Sequence, residues 1–199
     1  EFTEDGKTVY REIAKNPVYV DDKVLGVCGV VSDVTELMTL KKKFESLTFL
    51  DNLTGIYNRN YFLKFDFNKK ESLPCAYIMC DCNDLKGVND RLGHAAGDIF
   101  IQETAKVLEQ CASDTGICIR WGGDEILMIL PNCDQDHCRE IIEKINDEQN
   151  IKRKKFPYME IAVGYHIRET LRQPENEAIQ LADQNMYKDK KERKMVEWK

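Results

Sequence analysis

The sequence has no apolar run approaching the roughly 18 residues that a membrane-spanning helix needs, so this segment is not expected to contact a membrane. It also lacks a basic N-terminal stretch followed by a hydrophobic one, the pattern of a secretory signal. Nor does it hold the excess of Lys and Arg on which binding along a nucleic-acid backbone depends. Its 29 basic residues stand against 35 acidic ones, for a net charge of −6, which argues against nucleic acid as a partner but not against a nucleotide pocket. No internal repeat or low-complexity tract is visible. The expected location is cytoplasmic, whether or not a longer parent protein is membrane-attached. The opening "EFTEDGKTVY" has no Met, and the expectation is a piece cut from a longer protein.

A second pairing of zinc-like ligands is also missing. Cys133, His137 and Cys138 in "CDQDHC" are the only grouping of that kind, and no further pair at zinc spacing accompanies them, so no metal is expected there. The eight cysteines are scattered through apolar segments such as "AYIMCDC" and "GICIRW". They are expected to be buried free thiols packing as small hydrophobes.

What is present is enough for a sizeable core: 199 residues, where about 150 suffice. From Lys7 to Val31 the pattern is strand, turn at Asp21 and Asp22, strand. Asp33 with Glu36 three residues on predicts a capped helix start. The helix is expected from Val34 to about Leu50, with Leu37, Leu40, Phe44, Leu47 and Leu50 as one apolar stripe. Such a stripe either pairs with its twin in a dimer or packs on its own domain. Beyond Asp51 the expected elements are a helix at Asn60–Asn68, a strand at Cys75–Cys82, a helical turn at Leu85–Asp90 and a helix at Ala95–Cys111. Strands at Gly116–Trp121 and Glu125–Leu130 follow, then a helix at Gln135–Glu148, a strand at Tyr158–His166 and a helix at Glu175–Glu192. Strand, helix, hairpin, helix, strand is the split βαβ order of a ferredoxin-like α+β fold. The Lys-rich runs at Lys152–Lys155 and Lys188–Lys194 read by default as solvated faces.

Within "RWGGDEILMIL", Gly122 and Gly123 make a turn that lets a ligand approach the backbone closely. Asp124 and Glu125 then sit at its tip, ahead of a buried strand. Asp81 ends another apolar strand and joins them if the two strands are neighbours. Three converging acids repel one another unless a hard divalent cation is present, and carboxylates with phosphate oxygens are the ligands Mg²⁺ prefers. The plainer reading is a solvated turn with unrelated surface acids.

Four ordered motifs decide between them: "DNLTGIYNR", "DCNDLKGVNDRLGHAAGD", "RWGGDEI" and "ADQNMYKDK". Together, over about Asp51 to Lys194, they resemble the GGDEF family of diguanylate cyclases. The resemblance implies a palm-type, nucleotidyl-cyclase-like fold with a mainly antiparallel central sheet flanked by helices. It implies condensation of two GTP into cyclic di-GMP and two pyrophosphates, with Mg²⁺ or Mn²⁺, in a homodimer whose subunits each present one GTP. On matched positions, Asp81 and Asp124 would ligate metal with the main-chain carbonyl of Cys82. Glu125 would bind a second metal or help deprotonate the attacking hydroxyl. Asn89 and Asp98 would read guanine, since a carboxylate accepts from guanine N1–H and N2–H₂ and adenine offers no such donor pair. Lys86, Lys190 and Lys194 would contact phosphates, and Arg120, standing where the family has an Arg, would also bind substrate. His94 matches too and is kept out of the catalytic set.

The departures are as specific. Ile126 stands in place of Phe and should face the core. Asn83 replaces the second Asp of an Asp-x-Asp pair, and Arg193 replaces a Gly. Product-inhibited members carry Arg-x-x-Asp before the Gly pair; here those positions hold Ser113 and Gly116, so no inhibition through that site is expected. Upstream, "GVCGVVSDVTEL" resembles the end of a PAS sensor domain. The domain reading is a PAS fragment over 1–33, a signalling helix over 34–50 and the catalytic domain over 51–199. A degenerate domain that binds GTP only to regulate, and an enzyme making a mixed or adenine-containing dinucleotide, are the alternatives.

Overall fold

Eight consecutive residues, Cys75–Cys82, are all buried, and a strand with neither face open to water belongs in the middle of a sheet covered on both sides. That strand organises the larger of two units, Phe49–Lys199; the smaller is Glu1–Thr48. The computed structural model describes residues 2–4, 7–64, 69–112 and 116–193. Lys194 and Ser113, and the end of the helix expected at Asn60–Asn68, lie outside the described residues.

In the smaller unit, β1 (Phe2–Glu4) pairs with β2 (Lys7–Val9), and β3 (Arg11–Val20) forms an antiparallel hairpin with β4 (Lys23–Asp33). Asp21 and Asp22 both take positive φ, 49° and 58°, the backbone of a two-residue turn whose twist matches its strands. Helix α1 (Thr35–Phe49) follows. The Asp33 carboxylate accepts from the Thr35 N–H at 2.9 Å; hydrogen bonding to the Thr35 side chain first, and to that N–H second, lowers its pKa. Tyr10 is tied to the helix start: its N–H donates to Thr35 Oγ1 at 2.9 Å, and its carbonyl accepts from the Val34 N–H at 2.9 Å. Leu37, Leu40, Phe44 and Leu47 form the expected stripe and are 57–69% exposed, while Leu50, its expected fifth member, lies past the helix end in a β-bridge to Tyr57.

The larger unit contains β5 (Tyr57–Asn58), α2 (Arg59–Lys64), a 3₁₀ turn (Lys70–Ser72), β6 (Cys75–Cys82), α3 (Leu85–Leu92) and α4 (His94–Cys111). It continues with β7 (Ile117–Gly122), β8 (Glu125–Leu130), α5 (Gln135–Arg153), β9 (Ile161–Arg168) and α6 (Glu175–Arg193). The sheet order is β5-β7-β8-β6-β9. Only β5 and β7 run parallel; the other pairings are antiparallel. This is the mainly antiparallel, helix-flanked sheet of the palm-type α+β expectation.

Alternation along each strand divides the core. Ile78, Cys80, Ile126 and Met128 pack with Phe100, Leu108, Ile141 and Ile145 of α4 and α5. Tyr77, Met79, Leu127 and Ile129 pack with Ala178, Ile179, Ala182 and Met186 of α6. Ile126 faces the core as expected, fully buried. Gly164 lies where α6 crosses β9 so closely that a Cβ would overlap Met186 backbone atoms.

Most boundaries in the larger unit shift by one or two residues from the sequence reading; two shift further, and one strand was not expected. The last strand starts at Ile161, not Tyr158, because Tyr158 turns its ring onto Phe100 (centroids 5.8 Å apart) and the Glu160 carbonyl is taken by the Asn83 N–H at 2.7 Å. Helix α5 runs on to Arg153. Strand β5 is two residues long, formed by pairing with β7 rather than by its own pattern. Of the eight cysteines, all free, seven are buried, but Cys28 is exposed on the hairpin.

Candidate functional site

Asp81 has the odd parity of Tyr77 and Met79, and Glu125 that of Leu127 and Ile129, so both belong to the face that α6 covers. Register then sets them opposite each other: Asp81 pairs with Glu125 across β6 and β8. Asp124 precedes Glu125 in the turn that Gly123 makes at φ +42°, and its carbonyl accepts from the Cys82 N–H at 3.3 Å. The three acids predicted from the sequence therefore meet at one end of the sheet.

Helix α6 brings two further groups. Lys190 places Nζ 2.6 Å from Asp81 Oδ1. Burial raises the Asp81 pKa; the Lys190 hydrogen bond opposes this and the Asp124 charge adds to it, with a net upward shift. Glu125 is also shifted upward, first by burial and then by the charges of Asp183, Asp81 and Asp124. Asp183 was not singled out by sequence reasoning. Its signal was there, since it stands seven residues before Lys190 on one helix face. Asp183 and Glu125 line a cavity of about 410 Å³ with Arg59, Trp121, Met79 and Gln180. The Arg59 guanidinium lies 4.7 Å from the centre of the Trp121 ring.

The Cys82 thiol turns away into the core, donating to Thr104 Oγ1 at 3.4 Å, and burial pushes its pKa to about 12. Its side chain therefore faces the core and not the three acids. Asn89, on α3, keeps Oδ1 buried without a hydrogen-bond partner. Gly97 of α4 makes room for that amide, because a Cβ there would overlap it. Lys86, His94 and Asp98 are exposed on the same two helices. Asn83 Oδ1 is the second buried oxygen without a partner.

Arg120 is engaged within the protein. Nη1 donates to both oxygens of Asp51 at 3.0 Å, and Nε and Nη2 donate to the Gly123 carbonyl at 3.0 and 2.7 Å. It clamps the "DNLTG" loop to the glycine turn. Burial works to raise the Asp51 pKa, but hydrogen bonds from Thr54 and Arg120 outweigh it and the pKa is lowered. A depressed folded-state pKa stabilises the fold above the ordinary value of 3.8, and that contribution is lost as pH falls through the folded value. Asp51→Asn should therefore cost about 1–3 kcal/mol at neutral pH and flatten the acid side of the stability profile. Denaturant unfolding at several pH values measures this, and equal stability at neutral pH would show that the clamp contributes nothing.

The oxygens at this end of the sheet fit a hard divalent cation in kind. The sheltered carboxylates of Asp81 and Glu125 repel each other, and the Lys190 ammonium is hydrogen-bonded to the first of them. Among the described residues no three His, Cys, Asp or Glu side chains enclose an ion by themselves. A metal here would need main-chain and ligand oxygens as well, the open arrangement typical of Mg²⁺ with phosphates.

Residues 48–195 match the family described as Diguanylate cyclase, GGDEF domain. The chain is 30% identical over 146 residues to Diguanylate cyclase DgcM of Escherichia coli K12, covering 71% of this chain and 35% of that protein. It is 27% identical over 158 residues to Diguanylate cyclase A of Treponema denticola, covering 79% of this chain and 39% of that one. It thus spans little more than a third of these relatives' length. The fold is similar to the coiled coil and GGDEF domain of DgcB from Caulobacter crescentus in complex with c-di-GMP: TM-score 0.68 at 23% identity, covering 80% of this chain and 90% of that one. With acids paired across β6 and β8 beside a Gly-Gly turn, and a family match over most of its length, this chain belongs to the GGDEF-domain family of diguanylate cyclases.

Proposed function

We propose that the chain is a diguanylate cyclase that condenses two GTP into cyclic di-GMP and two pyrophosphates. The observation that carries this is the in-register pairing of Asp81 with Glu125 beside Asp124, with Lys190 poised on Asp81. Asp81, Asp124, Glu125 and the Cys82 carbonyl would hold Mg²⁺, or Mn²⁺ in its place, which acidifies a 3′-hydroxyl and neutralises charge on departing pyrophosphate. Asn89, whose sheltered Oδ1 has no protein partner, and Asp98 bind the guanine edge. Lys190, Lys86 and Lys194 bind phosphate oxygens, while Arg120 holds the turn that carries Asp124 and Glu125. Each 3′-hydroxyl gives up its proton, with the help of Glu125 and finally to solvent; its oxygen forms a bond to the α-phosphorus of the other nucleotide, and the bond from that phosphorus to the bridging oxygen of the β-phosphate breaks, releasing pyrophosphate.

Each subunit binds one GTP, so catalysis needs a homodimer. The exposed stripe of α1 supports pairing of 34–50 as a signalling helix, its apolar residues three and four apart. Residues 1–33 are read as the end of a PAS domain and 51–199 as the catalytic domain. The test is incubation of the concentrated chain with GTP and Mg²⁺, followed by chromatography of the nucleotides. Cyclic di-GMP and pyrophosphate are expected. Equal turnover of ATP in competition would overturn the guanine assignment.

A second reading, a GTP-binding regulatory module without catalysis, is favoured by one observation. Asn83 stands where an Asp is usual, and its buried Oδ1 has no partner. It predicts GTP binding with no product, even when dimerisation is enforced by fusion.

A further inference from the structure

Arg193, at the end of α6, connects four parts of the larger unit. Nε lies 2.6 Å from Asp189 Oδ2 on its own helix, and Nη2 lies 3.3 Å from Asn146 Oδ1 on α5. Nη1 lies 3.9 Å from Glu160 Oε1, an oxygen that Arg153 Nη2 also contacts at 3.0 Å. The acceptors lead onward. Asp189 Oδ2 also accepts the Val163 N–H of β9 at 2.8 Å. The Glu160 carbonyl accepts the Asn83 N–H at 2.7 Å, two residues after Asp81. Lys190 follows Asp189 directly and makes the 2.6 Å contact with Asp81.

A glycine at position 193 could make none of these bonds, and a helix end of Lys and Glu residues would otherwise fray. These charges are sheltered, with side-chain exposures of 23% for Arg193, 26% for Asp189 and 12% for Glu160. They are less screened than a surface pair and share acceptors in a network. Lys190 itself is a flexible four-carbon stem with one contact to the site. What sets its direction is the turn of helix from which it springs.

We infer that Arg193 is a positioning residue, fastening the last turn of α6 to α5, β9 and the segment before β9 so that the Lys190 ammonium stays on Asp81. Its consequence for turnover rests on the cyclase reading; its effect on Lys190 does not.

Two measurements separate them. In the first, Lys190 is labelled by reductive methylation and quantified by peptide mass spectrometry, with exposed Lys106 of α4 as the internal reference. Arg193→Ala and Arg193→Gly should raise the Lys190 labelling rate several-fold and leave Lys106 unchanged. An unchanged Lys190 rate, or an equal rise at both lysines, would overturn the inference. In the second, KM for GTP is measured across a double-mutant cycle with Lys190→Ala. Arg193→Ala should raise KM about tenfold with Lys190 present and add nothing once Lys190 is gone, with Arg193→Lys partly restoring the value. Additive losses would assign Arg193 a purely structural role. If the parent chain makes no product, the cyclase reading fails and the labelling result still decides this one.

Discussion

Glu125→Gln should abolish cyclic di-GMP formation, lowering turnover by at least about a hundredfold, while the protein stays folded. The substitution keeps the shape of the side chain and removes its charge. In this fold that charge is disfavoured: burial and the neighbouring Asp183, Asp81 and Asp124 raise the Glu125 pKa. An acid whose pKa is raised on folding costs stability once it ionises, and the cost sets in as pH rises from the ordinary value of 4.5 through the raised one. At neutral pH the Gln variant should therefore melt at the same temperature as the parent or higher. Loss of product with unchanged or improved melting is the expected pair of results. Full turnover would remove Glu125 from the chemistry, and a lower melting temperature would contradict the repulsion among these carboxylates.

Gly164→Ala should destabilise the larger unit by about 3 kcal/mol, at the upper end for overpacking a closed interface. The atoms that a Cβ would overlap are Met186 N and Cα and the Ala182 carbonyl, all backbone of α6. No rotamer change relieves such a clash, so the helix itself must lift from β9. Ala178, Ala182 and Met186 would then lose their packing on Tyr77, Met79 and Leu127. Because α6 also carries Asp183 and Lys190, nucleotide binding should weaken in the same variant. Chemical denaturation measures the first effect and GTP titration the second. A stability change under about 0.5 kcal/mol, the ordinary range for a surface position, would mean that the helix does not rest on the strand at this point.

Much of both results could be read from the chain itself. "CAYIMCDC" and "EILMIL" announce buried strands, the glycine pair announces a turn, and Asp81, Asp124 and Glu125 form one constellation as soon as the two strands are taken as neighbours. The signals that failed were local ones overruled by distant partners. Tyr158 carries an aromatic residue's strand propensity, yet its ring is used against Phe100. Tyr57 and Asn58 form a strand only because β7 lies alongside. Cys28 follows the apolar pattern of the buried cysteines but sits in a two-stranded hairpin that leaves it exposed. Arg120, carried over as a substrate contact, also has an internal role that no local pattern shows: its donors go to Asp51 and the Gly123 carbonyl, 69 and 3 residues away in sequence.

By itself, then, the sequence determined the order of the longer elements of the larger unit, the α+β class, the family and the acids at the glycine turn, because periodicity, turn residues and motifs are written along the chain. The tertiary structure alone decided which groups meet those acids. The one-to-one register of β6 with β8 sets Asp81 against Glu125, and the absence of a side chain at Gly164 lets α6 lie close. Asp183 and Lys190 reach them for that reason, and Arg193 holds the turn that carries the lysine. Contacts across this many residues depend on register and packing distance, and neither is encoded in any local pattern.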